Sequence, residues 1–88
     1  MINIKMANGQ TLKATLFVLS DGVLNIRPFE RMSVLAAAQL FSNNEATKRM
    51  DAEQYDHTQT YIGYTEISGI LSESESGRVL VMMKRKEA

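Results

Sequence analysis

Ile2-Asn3-Ile4-Lys5-Met6-Ala7-Asn8-Gly9-Gln10-Thr11-Leu12-Lys13-Ala14-Thr15-Leu16-Phe17-Val18-Leu19 has the pattern of two strands joined by a tight turn. Ile2, Ile4 and Met6 alternate with Asn3, Lys5 and Ala7, the period of a strand with one face buried. Asn8-Gly9 follows. Both residues tolerate the positive φ of a type I′ turn, so a tight hairpin is expected. On the return strand Leu12, Ala14, Leu16 and Val18 share one face, and Lys13, Thr15 and Phe17 share the other.

Ser20-Asp21-Gly22 predicts a second tight turn. Val23 to Arg27 predicts a third strand with Leu24 and Ile26 inward, ended by Pro28, which has no N–H for a ladder. Ser33 then fits a helix N-cap before Val34-Leu35-Ala36-Ala37-Ala38-Gln39-Leu40-Phe41, a run of helix formers. Its apolar stripe reads as Val34, Leu35, Ala38 and Phe41, stopped by Ser42-Asn43-Asn44. So short a helix needs a sheet to pack on.

Residues 45–57 fit two readings. Glu45 and Arg49 offer an i,i+4 ion pair on a helix, whereas Lys48 to Gln54 alternates like a strand. The preferred reading is a short helical turn followed by an edge strand. Thr58 to Leu71 is rich in strand formers, interrupted at Gly63 and Gly69, which suggests a bulge or sharp coiling. Ser72 to Gly77 is a polar, acidic turn. Val79-Leu80-Val81-Met82-Met83 is apolar throughout, so both its faces ask for cover. The expected fold is α+β: a coiled antiparallel sheet or partial β-barrel of five to six strands, with one short helix inserted at about residues 33–41.

Composition narrows the function. The 88 residues fit a single domain, 1–88, able to bury roughly 60% of the surface its unfolded chain exposes. Apolar residues are 44% and charged residues 23%, which is globular and not disordered composition. Ten basic and ten acidic residues cancel, so no global field draws the chain to nucleic acid or an anionic membrane. Without cysteine there is no disulfide, thiolate nucleophile or thiolate metal site. Met32 to Phe41 is about half the ~20 residues a membrane-spanning helix needs. Met1 to Lys5 lacks the order of a signal peptide, so cytoplasmic or virion-associated residence is expected.

No constellation points to catalysis. His57, the only histidine, lies near Asp51, Glu53 and Asp56, but the spacing matches no metal motif and a solvated loop is the simpler reading. No serine sits in a nucleophile elbow, and the glycines are dispersed among turns and strands. The expectation is no enzyme activity, no cofactor, no metal and no small-molecule ligand. Lys84-Arg85-Lys86 could meet phosphates, with Tyr61 and Tyr64 as stacking groups; a solubilising tail and sheet packing explain them more simply. An apolar surplus remains. Phe17, Leu19, Leu80 and Met82 fall on the second faces of their strands and mark a surface for self-association or another protein.

The order Ile2-x-Ile4, Asn8-Gly9, Leu16, Asp21-Gly22-Val23-Leu24-Asn25-Ile26 resembles the first half of an Sm-like fold, whose aspartate and asparagine help build an RNA-binding ring. The chain lacks the glycine expected in the second strand and the second Sm signature. Across the whole chain, the opening strand and Asn-Gly turn, the helix ending Leu40-Phe41-Ser42-Asn43, and Gly63-Tyr64-Thr65-Glu66-Ile67 before a last apolar strand resemble small proteins of phage and prophage tail or neck modules. That resemblance implies a non-catalytic role in assembly and transfers no binding residue. The expected function is a prophage-encoded protein–protein interaction or assembly module that self-associates. The alternative is a small-barrel single-stranded nucleic-acid-binding protein.

Overall fold

A computed structural model describes residues 2–85. Seven strands form one antiparallel sheet: β1 (Ile2–Met6), β2 (Thr11–Val18), β3 (Leu24–Pro28), β4 (Arg49–Gln54), β5 (His57–Ile62), β6 (Glu66–Ser72) and β7 (Val79–Lys84), in the order β5-β4-β1-β2-β3-β7-β6. A central meander, β1-β2-β3, is flanked by two hairpins, β4-β5 beside β1 and β6-β7 beside β3. The helices α1 (Val34–Phe41) and α2 (Asn44–Thr47) carry the chain from β3 back to the β1 side.

The first turns are looser than Asn8-Gly9 suggested. Met6 N–H donates to Gln10 O (2.8 Å) around a three-residue loop, and only Gly9 takes a positive φ, +91°. Ser20-Asp21-Gly22 repeats the design: Leu19 N–H donates to Val23 O (3.1 Å), with Gly22 at +85°. In both loops the glycine occupies the left-handed position that closes a three-residue hairpin. Pro28 ends β3 as expected, opposite Ala14.

The expected strand count was five to six, and the structure has seven because Gly63 breaks the Thr58–Leu71 run. At φ +86° it ends β5, and β6 begins three residues later on the opposite margin of the sheet. The sheet is open rather than a barrel, since β5 and β6 are not hydrogen-bonded to each other. It is nonetheless coiled. Six strand spacings of about 4.8 Å would set the margins of a flat sheet roughly 29 Å apart, whereas the step from Ile62 to Glu66 reaches at most about 14 Å. The margins must therefore converge at that corner.

Residues 45–57 hold a helical turn and a strand, as preferred, but β4 is not at the edge: β5 lies outside it. Gly69 marks the expected bulge. Ile67 pairs with Met83 and Gly69 with Met82, so Ser68 is the extra residue. The slip lets Ile67 and Ile70, three apart, both pack on the core.

That core lies on one face of the sheet. Ile4, Met50, Leu24, Ile26, Val79, Val81 and Met83 are inaccessible, and Phe41 of α1 packs among them. Ser33 caps α1 by accepting from Ala36 N–H (3.0 Å), and the Asn43 side chain accepts from Glu45 N–H (3.1 Å) to start α2. The buried stripe of α1 is Ala37 and Phe41, with Leu35 turned outward at 67% exposure, contrary to the expected stripe. At 100° per residue Leu35 stands about 120° from Phe41 around the helix, so seating the larger ring on the sheet excludes it.

Candidate functional site

Neither helix packs on the other face of the sheet, and cross-strand register divides that face in two. On the β5-β4-β1 side, Lys5, Asp51 and Thr60 lie in one row. Thr60 Oγ1 donates to Asp51 Oδ1 at 2.7 Å, and Arg49 Nε approaches the same oxygen at 3.3 Å. The Thr60 hydrogen bond holds the Asp51 carboxyl below its ordinary range; desolvation opposes it, and Arg49 and Lys5 add to the lowering. These polar groups answer one another.

On the β2-β3-β7-β6 side they do not. Phe17, Asn25, Met82 and Gly69 form one row, and Leu80 faces Leu71 in the adjacent part of the ladder. Asn25 is 2% exposed although no helix covers it, because Phe17 and Met82 flank it. Its Nδ2 donates to Val23 O (3.2 Å). A Cβ on Gly69 would stand 2.8 Å from Met82 Cε, so the bare glycine is what lets that methyl lie across β6. Phe17 is 48% exposed and Leu71 56%. The Arg27–Glu73 ion pair borders the patch.

Of the four residues singled out for an interface, the structure brings Phe17, Leu80 and Met82 to this patch. Leu19, 46% exposed, follows the end of β2 at the Leu19–Val23 turn. Leu71 was missed. Its face depends on the extra residue Ser68, and alternation alone cannot locate a bulge.

His57 opens β5 opposite Gln54, on the face that also carries Gln59 and Tyr61, whereas Asp51 and Glu53 point to the other side. Among the described residues no three His, Cys, Asp or Glu side chains gather to hold a metal. Tyr61 and Tyr64 are buried and pack edge-to-face, ring centroids 6.0 Å apart, because Gly63 turns the second onto the side of the first. Burial pushes the Tyr61 hydroxyl up, and Tyr64 adds to the shift. Lys84 lies 3.9 Å from Glu66, and Arg85 sits over the Tyr64 ring at 4.9 Å. Lys86, the third residue of that basic run, lies outside the described residues.

A concavity of about 750 Å³ opens beside the β1-β2 hairpin, lined by Met6, Leu12, Met32 and Leu40 together with Lys13 and Glu53. Among the described residues, no helix is long and apolar enough to cross a membrane. The chain matches no family model, no curated protein and no solved structure, and this bears on neither the phage-module nor the Sm-like resemblance.

Proposed function

We propose that this chain is a non-catalytic assembly module that associates with copies of itself through the uncovered sheet face, in a prophage-derived setting. Phe17, Leu80 and Met82 form the centre of the contact, with Leu71 and Leu19 beside them. The observation that carries the reading is the half-exposed Phe17 in one row with Met82, across Asn25, on a face where neither helix packs. Magnitudes make the contact weak. Completing the burial of a half-exposed Phe or Leu is worth about 1 kcal/mol, so Phe17, Leu19 and Leu71 on each of two copies supply about 6 kcal/mol. Association costs about 4 kcal/mol or more in lost freedom of motion, which offsets most of that gain. Concentration-dependent association is therefore the expected behaviour.

Static light scattering across a protein dilution series tests this. The mass should exceed that of one chain at high micromolar concentration, and Phe17→Asp should lower it without changing the far-UV circular dichroism. A wild-type protein that stays monomeric at the highest concentration removes the proposal.

A further inference from the structure

The two margins of the sheet are built differently. On β6 the ladder is broken at Ser68, the strand carries Gly69, it opens on Glu66, and α1 packs against it. Each of these blunts an edge against pairing with another chain. The β5 margin has none of them. Its six residues, His57-Thr58-Gln59-Thr60-Tyr61-Ile62, hold unbroken register with β4 and include no proline, glycine, lysine, arginine or carboxylate. Five of the six are exposed. Main-chain groups along the outer side of such a strand are a template for one more strand.

We propose that β5 pairs antiparallel with β5 of a second copy, about a two-fold axis at Thr60, fusing two sheets into one. This contact is separate from the uncovered-face contact and does not depend on it. Opposed residues of an antiparallel pair share a face, so the axis must fall on a residue. Centred on Thr60, the pairing sets Thr60 against the partner's Thr60, Thr58 against the partner's Ile62, and Gln59 against the partner's Tyr61. These are uncharged pairs, and the Thr–Thr and Thr–Ile pairs are of the β-branched kind that supports a ladder.

At low ionic strength, charge complementarity favours a second copy in this register. Glu53 lies beside Thr58 and Arg49 beside Ile62, at opposite ends of β4. The Thr60 axis places Glu53 in one row with the partner's Arg49, whereas an axis at Gln59 would put Glu53 in line with the partner's Asp51. These groups would stand about 14 Å apart, three strand spacings. That exceeds the Debye length of about 8 Å at physiological salt, so these charges bias the register only at low ionic strength, and main-chain bonds hold the pair. The two Asp51 carboxylates face each other at the same separation, each already answered by its own Arg49 and Lys5. At the hairpin tip, Asp56 and the 99%-exposed Tyr55 would reach toward the partner's Arg85.

The chain has no cysteine, so Thr60→Cys reports on the axis alone. Opposed Cα atoms about 4.5–5.5 Å apart fall in the disulfide range. Mild oxidation should link Thr60→Cys into dimers roughly tenfold or more faster than Ser68→Cys on the other margin. Thr60→Lys should lower the mass in light scattering, because it sets two ammonium groups face to face, while Thr60→Val should keep the wild-type mass. In a Phe17→Asp background the Thr60→Cys link should persist, which separates this contact from the uncovered-face contact. Cross-linking at Thr60→Cys no faster than at Ser68→Cys, in either background, overturns the proposal.

Discussion

The two faces of this sheet are made from the same strands and have opposite fates. Along β3, Leu24 and Ile26 point into a sealed core beneath α1, while Asn25 and Arg27 point to the uncovered side. On the covered face, the side chains of β1, β3 and β7 are shielded by other apolar groups. On the uncovered face, Lys5, Asp51, Arg49 and Thr60 compensate one another, and Phe17, Leu71, Leu80 and Met82 have no such partners. On the proposed reading, stability and association rest on different residues of one strand set. Each can be changed alone.

The largest effect should come from the covered face. Phe41→Ala removes the ring that anchors α1 and should cost about 3–5 kcal/mol in urea unfolding. In a domain this small that approaches the whole stability. Next is the corner where the margins meet: Gly63→Ala puts a Cβ at φ +86° and should cost about 1–2 kcal/mol, read the same way. A loss below a few tenths would mean the corner relaxes and the convergence of the margins is not enforced there. By contrast, Phe17→Asp should change unfolding by about 0.5 kcal/mol or less while lowering the mass of the assembly.

The smallest effects are pH-dependent, and they separate the faces. Asp51 on the uncovered face has a lowered carboxyl, so its contribution is present above the ordinary value of 3.8 and fades as pH falls through the folded-state value. Thr60→Val should raise that carboxyl, measurable by NMR titration, and shrink the acid-side loss. Tyr61 on the covered face has a raised hydroxyl. Its contribution is present below the ordinary value of 10.0 and is lost as pH rises through the folded-state value. Tyr61→Phe should therefore flatten the alkaline limb of stability and leave the acid limb unchanged.

Alternation made the central meander and its buried face legible from Ile2 to Pro28, because a strand covered on one side imposes period two on its residues. The Ser33 cap was legible for a similarly local reason: its hydroxyl answers an amide three residues on. Long-range choices were not. Gly63 was noticed as an interruption, yet whether it bulges a strand or carries the chain to the far margin depends on what lies six strands away. The uncovered-face patch was legible for Phe17, Leu80 and Met82, which sit in unbroken alternation, and illegible for Leu71, behind the Ser68 slip. The placement of β4 inside β5 was hidden because exposure at an edge and polarity on an open face produce the same pattern.

The short Gly63–Thr65 step has a further outcome for how the molecule breathes. Strands at opposite margins of a sheet ordinarily fray independently, each with its own opening free energy. Here a three-residue step joins the converging margins, so displacing His57–Ile62 pulls directly on Glu66–Ser72. Amide hydrogen exchange in the two outermost strands should rise and fall together, as though they were neighbours.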